Sequence, residues 1–74
     1  MTYTQLLYHI RQYSQLAART HKDYGVQVDH LVNIYLQSAA GDSAISPELI
    51  ADTAKLVDRE YPTIYRSLPP ARTP

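Results

Sequence analysis

Apolar residues recur along this chain at helical spacing in three blocks, with polar breaks between them. In the first block Tyr3, Leu6, Leu7, Ile10, Tyr13 and Ala17 follow the i, i+3, i+4, i+7 rule, which predicts an amphipathic helix over about 4–19. Leu16 sits at the flank, and Tyr8, Gln12, Gln15 and Arg19 fall on the outer side. The second block, about 24–40, is wider. At about 100° per residue, Tyr24, Val28, Leu31, Tyr35 and Ala39 form a central stripe. Val32 and Leu36 broaden it on one side and Ile34 on the other. The apolar arc spans about half the circumference, beyond the ~100° of an ordinary surface helix, so more than one neighbour is expected to cover it. In the third block, about 47–60, Leu49, Ile50, Thr53, Leu56 and Val57 point inward. Asp52, Lys55, Asp58 and Arg59 point outward.

The breaks carry the signals of helix ends. Thr2 or Thr4 is placed to cap the first helix. Thr20-His21-Lys22 makes a tight connection, and Asp23 is the expected N-cap of the second helix. Gly25 in its first turn costs helix propensity, on the order of 1 kcal/mol, which leaves a later start open. Gly41 is expected to end the helix in a left-handed conformation. Ser46, Pro47 and Glu48 form the clearest start in the chain: a cap, a first-turn proline and an acid at the positive end of the dipole. Ile45 and Ile50 are spaced for a hydrophobic staple. Pro62 stops the third helix near Tyr61. A short fourth turn over about 62–68 is expected to fold Ile64, Tyr65 and Leu68 back. Pro69-Pro70-Ala71-Arg72-Thr73-Pro74 cannot be helical. The expectation is an all-α three-helix bundle with the second helix at its centre. Residues 1–68 would be a single helical domain and residues 69–74 a disordered tail, with a proline-rich docking segment as the alternative.

Length sharpens the problem. Seventy-four residues bury only ~60% of their unfolded surface, which makes one core marginal. Such a unit needs a disulfide, a metal, a second subunit or very good packing. With no cysteine, disulfides and thiolate metal sites are excluded, and a homodimer is expected. No apolar run approaches the ~18 residues of a membrane span, and Met1-Thr2-Tyr3-Thr4 lacks a signal-peptide start. A cytoplasmic protein is expected.

The seven basic and seven acidic residues cancel but are segregated. Residues 1–22 carry Arg11, Arg19 and Lys22 without an acid. Residues 23–60 carry seven acids, from Asp23 to Glu60, against Lys55 and Arg59. Arg66 and Arg72 complete the balance. A basic helix packed beside acidic ones explains this, as does complementarity with another chain.

No catalytic constellation emerges. His9, His21 and His30 lack the i, i+4 spacing of a zinc helix. A site would need His9 and His30 to meet across a hairpin with Asp29 or Asp23, yet His30 faces away from the apolar stripe. Surface histidines are the simpler reading. Asp58 and Glu60 point to different helix faces, and Asp52 and Asp58 lie well round the helix from each other, so no acid–base dyad forms. Glu60 falls on the inward arc, where a solvated helix end or a partner among Arg11, Arg19 and Arg66 would accommodate it. The serines lack a glycine-rich elbow, and two isolated glycines make no phosphate loop. No catalytic residue, metal or cofactor is expected.

All seven aromatic residues are tyrosines. Tyrosine buries apolar area while keeping its hydroxyl at an edge, which suits core rims and interfaces. Tyr3, Tyr13, Tyr24 and Tyr35 are placed as rim residues. Tyr8 lies opposite the first helix's stripe, beside Arg11 and Gln12, a composition found at binding hot spots. The reading is a non-enzymatic protein–protein interaction module, an inhibitor, adaptor or regulator that occludes a partner's surface. Its size and type suit an accessory protein of a phage or mobile element. Tyr8, Arg11, Gln12, Gln15 and Arg19 are the expected partner-binding face, and Val32 and Leu36 the expected self-interface. The alternative is a dimeric helix-turn-helix-like DNA-associated regulator. The Thr20–Asp23 link suits that motif, but its flanking helices are long, and the third helix is acidic enough to repel phosphate. A purely structural subunit is a third possibility.

Overall fold

The structure is a computed structural model and describes residues 1–71. Three α-helices follow in order, α1 (Tyr3–Thr20), α2 (Gly25–Ala40) and α3 (Pro47–Glu60), and then a 3₁₀ turn (Thr63–Ser67). Each helix packs on the other two. The fold is an all-α three-helix bundle, and among the described residues no helix is long and apolar enough to cross a membrane.

Local chemistry sets the ends. Thr2, not Thr4, caps α1: its hydroxyl accepts the Gln5 N–H at 3.1 Å, and the Gln5 side chain accepts the Thr2 N–H at 2.9 Å. This reciprocal box satisfies two backbone donors that the helix leaves open. His21 ends α1 in the left-handed region (φ 57°, ψ 41°), where its N–H reaches the Ala17 carbonyl. Ser46 caps α3 by accepting the Leu49 N–H at 3.1 Å, as its sequence signature predicts.

Asp23 departs from expectation. The N-cap position of α2 is Tyr24, without a side-chain cap, and the helix starts at Gly25. Asp23 still serves the helix from one residue further out, because its Oδ1 accepts the Gly25 N–H at 2.8 Å. A Cβ on Gly25 would meet Arg66 Cζ at 2.9 Å and Asp23 Oδ1 at 3.0 Å. A side chain there would displace the Arg66 guanidinium from its place beside the start of α2. Gly41 has positive φ (61°) as expected, but its ψ of −126° lies outside the left-handed helical well, in space that suits glycine alone.

α1 runs antiparallel to α2. Tyr3 meets Tyr35 edge to face with centroids 6.4 Å apart, and Tyr13 stacks on Tyr24 at 5.7 Å. The core contains Leu6, Ile10 and Ala17 from α1, Val28 and Leu36 from α2, Leu56 from α3, and Tyr61. Helix α1 supplies three of the four fully enclosed residues, Leu6, Ile10 and Ala17, and α2 supplies only Val28. The expectation that α2 lies at the centre is corrected: Val26 is 76% exposed, Ile34 is also exposed, and Leu31, Val32 and Tyr35 are only half-buried. Two neighbours cannot surround a helix apolar over half its circumference. Ile50, expected inward, is 49% exposed, and Ile64, expected to fold back, is 72% exposed.

Tyr61 ties the end of the chain to its middle. It is 1% exposed, and its hydroxyl donates to Asp23 Oδ1 at 2.6 Å and accepts the Tyr24 N–H at 2.7 Å. The Tyr65 ring meets it edge-on at 5.4 Å, and the Arg66 guanidinium lies 5.5 Å from its ring centroid. Arg66 in turn grips Asp29 through two bonds of 3.0 and 3.2 Å. Beyond the turn, Asp23 pairs with the chain end in a one-residue bridge: its N–H donates to Pro69 and its carbonyl accepts from Ala71, both at 2.8 Å. The Gln27 amide also donates to the Ala71 carbonyl. The expected disordered tail is therefore corrected for residues 69–71, which pair with backbone that α1 and α2 leave unsatisfied; residues 72–74 lie outside the described residues.

Burial and the Asp23 hydrogen bond push the Tyr61 phenol up from 10.0 to about 12. A folded pKa above the unfolded one gives stability that is fully present below pH 10 and is lost as pH rises through about 12. Tyr61→Phe should cost about 1–3 kcal/mol in urea unfolding at neutral pH, since it leaves the part-buried Tyr24 N–H without its acceptor and removes one of the two donors to Asp23 Oδ1. The same variant should lose this component of alkaline destabilisation between pH 10 and about 12, which unfolding curves across that range would show.

Candidate functional site

Two surfaces follow from this architecture. The first is the outer side of α1. Tyr8 is 58% exposed, and Arg11, Gln12, Gln15 and Arg19 are exposed along the same helix. The Tyr8 ring is held by an edge contact with the His9 ring, centroids 5.5 Å apart. Arg11 is not wholly available: it donates to both carboxylate oxygens of Glu60, at 3.0 and 3.3 Å. Arg59 approaches the same carboxylate at 3.5 Å. Glu60 is thus a paired residue at the α1–α3 seam rather than a frayed end. The Arg11 bond holds its carboxyl below the ordinary range, and it holds the Arg11 guanidinium above its own.

The second surface is a groove of about 250 Å³ between α2 and α3, lined by Val32 and Leu36 on one side and Ile50, Thr53, Ala54 and Val57 on the other. Asp29 and Asp58 border it. Because the end of α3 meets the start of α2 through Tyr61 and Tyr24, the two helices run antiparallel and both acids lie at one end of the groove. Thr53 turns its hydroxyl back to the Leu49 carbonyl at 2.7 Å, so its polar atom is satisfied within the helix. Val32 and Leu36 were the expected self-interface. Leu36 is only 8% exposed within one chain and Val32 is half-buried, so they form the floor of the groove rather than a projecting edge.

Sequence reasoning missed the α3 wall. Its signal was present: Ile50, Ala54 and Val57 follow i, i+4, i+7, a second apolar stripe beside the one through Leu49, Thr53 and Leu56. A single helix cannot bury both stripes against two neighbours, so the second stripe stays at the groove.

A further hollow of about 310 Å³ lies between the 3₁₀ turn and α1, lined by Ala17, Ala18, His21, Ile64, Tyr65, Ser67 and Leu68. The histidines do not converge: His9, His21 and His30 are all exposed, and among the described residues no cluster of three or more His, Asp or Glu side chains is placed to hold a metal. The aliphatic hydroxyls that line the two hollows, Thr53 and Ser67, both donate to nearby backbone carbonyls, Leu49 at 2.7 Å and Ile64 at 2.8 Å.

Comparison with protein families, with curated proteins and with solved structures finds no match to this chain.

The Arg11–Glu60 pair makes a prediction about pH. A carboxyl lowered in the folded state gives stability that is present above its unfolded pKa of 4.5 and is lost as pH falls through the folded value. Glu60→Gln should therefore lose part of the fall in stability below pH 4.5, while changing the neutral-pH urea midpoint little, as expected for a solvent-screened pair. Urea titrations of both proteins at pH 7 and pH 3 would read the difference.

Proposed function

We propose that this chain is a non-enzymatic protein-interaction module, acting as an inhibitor, adaptor or regulator by covering part of a partner protein. The observation that carries this reading is the apolar groove between α2 and α3, which the completed bundle leaves open. A small domain that has already closed a core around Leu6, Ile10, Val28, Leu56 and Tyr61 gains no stability from leaving Ile50 half in water. An apolar surface of this kind, rimmed by polar groups, is what protein contacts use. The exposed Tyr8 face of α1 is a second, more polar surface for the same purpose.

Charge supports a protein rather than a nucleic acid as the partner. Two of the basic side chains, Arg11 and Arg66, are committed to Glu60 and Asp29. Counterion-release binding needs several free cations on one face, and Arg19 and Lys22 at the end of α1 do not make such a face.

The homodimer reading changes with the structure. Leu36 has little surface left to give a second copy, so replacing it with aspartate would test folding rather than association. The groove as a whole, with Ile50 on its rim, is the surface we assign to a partner.

Photocrosslinking tests the proposal. The intact chain carrying benzoylphenylalanine at Ile50 or at Tyr8 would be irradiated in its native cells and the adducts identified by mass spectrometry. We expect one protein adduct, competed away by excess unlabelled wild type and, from the Ile50 position, lost on Ala54→Arg. Adducts to nucleic acid alone, or none from either position, would overturn the interaction-module reading.

A further inference from the structure

The groove is specific enough to describe what fills it. Its apolar walls run from Ile50 to Val57, seven residues of helix or about 10 Å, and from Val32 to Leu36 on the facing helix. That length matches two turns of a docked helix, which presents apolar side chains at i, i+3 or i+4, and i+7. Volume points the same way: about 250 Å³, open along its side, takes a few side chains rather than a whole small molecule.

Charge then orients the occupant. Asp29 and Asp58 stand together at one end. Among the described residues Asp58 makes no ion pair, while Asp29 is held by Arg66 through two parallel bonds of 3.0 and 3.2 Å. Arg66 shows in this chain how a guanidinium meets that end, and it satisfies only one of the two carboxylates. Bidentate pairing of this kind adds geometric specificity as well as energy.

We infer that the α2–α3 groove binds a short amphipathic helix of another protein, apolar along one stripe and ending in arginine or lysine that meets Asp58. This rests on the interaction-module reading and names the chemistry of the partner. A second copy of this chain fits less well. In a two-fold contact the same patch meets itself, and that patch carries two acids and no basic residue to meet Asp58. The chain's own basic helix offers one aromatic, Tyr8, on its outer face, and not an apolar stripe. Anionic membranes and nucleic acids are disfavoured by the carboxylate end.

The test uses the intact chain with isotope-labelled methyl groups and a lactam-stapled helical peptide carrying leucines at i, i+3 and i+7 followed by two arginines. A control peptide carries glutamates in place of the arginines. We expect methyl shifts at Val32, Leu36, Ile50 and Val57, with the arginine peptide binding more tightly and losing that advantage at high salt. Asp58→Asn should weaken it about twofold to fivefold, the range of an exposed charge pair. Ile50→Asp and Ala54→Arg, both at exposed positions, should weaken it more than about tenfold, because an apolar anchor is lost or the groove is filled. Equal affinity for both peptides, or no shift at millimolar peptide, would overturn the inference. Shifts confined to the Tyr8 face of α1 would also overturn it, yet leave the interaction-module reading standing. Concentration-dependent shifts of the same methyls without peptide would assign the groove to a second copy instead.

Discussion

The hydroxyl of Tyr61 is the atom through which this small fold closes. It lies one residue after α3, donates to Asp23 and accepts the N–H of Tyr24, so it joins the end of the third helix to the start of the second. Asp23 Oδ1 also takes the Gly25 N–H, and the Asp23 backbone takes both ends of the Pro69–Ala71 segment. Five hydrogen bonds therefore meet within the three residues Asp23 to Gly25. A chain with no disulfide must get its long-range closure from such contacts. A buried tyrosine suits the task because its ring fills the core while its one polar atom is satisfied at both donor and acceptor.

That closure also explains where the fold stops being complete. Tyr61 anchors the α3 C-terminus to the α2 N-terminus, and Arg66 and Asp29 brace the same end. The opposite end of the α2–α3 pair has no comparable clamp among the described residues. Leu56 and Thr53 turn into the core, and the second α3 stripe, Ile50, Ala54 and Val57, is left facing the gap beside Val32 and Leu36. Three helices can enclose one stripe each. Both α2 and α3 carry more than one, and the surplus of the two meets along a single seam.

Much of this was legible in the chain. Caps at Thr2 and Ser46, the breaks at Gly41 and Pro62, and the helical spacing of three apolar blocks follow from local rules, so helix extents agree with the structure within a residue or so. What escaped was set by distant residues. Nothing near Tyr61 indicates that its hydroxyl will find Asp23, 38 positions away, and a run of prolines gives no sign that its backbone will pair with a loop. The breadth of the α2 stripe is visible in the sequence, and by itself it predicts that helix at the centre. The structure resolves the excess differently, by sharing it with α3 in an open groove and leaving Val26 in water.

The charge pattern gains meaning from the same geometry. Segregation into a basic first helix and an acidic remainder is partly internal: Arg11 pairs with Glu60 across α1 and α3, and Arg66 reaches back to Asp29 on α2. These pairs join elements far apart in sequence, so they help set how the helices meet while contributing little energy in water. They also decide which charges remain to act outward. At the groove the remaining charge is the Asp58 carboxylate, beside an apolar floor and a guanidinium already seated on its neighbour. An apolar surface alone would accept any hydrophobic segment. The adjacent acid adds a penalty for anionic partners and a gain for cationic ones, and that difference in affinity is what makes such a surface selective.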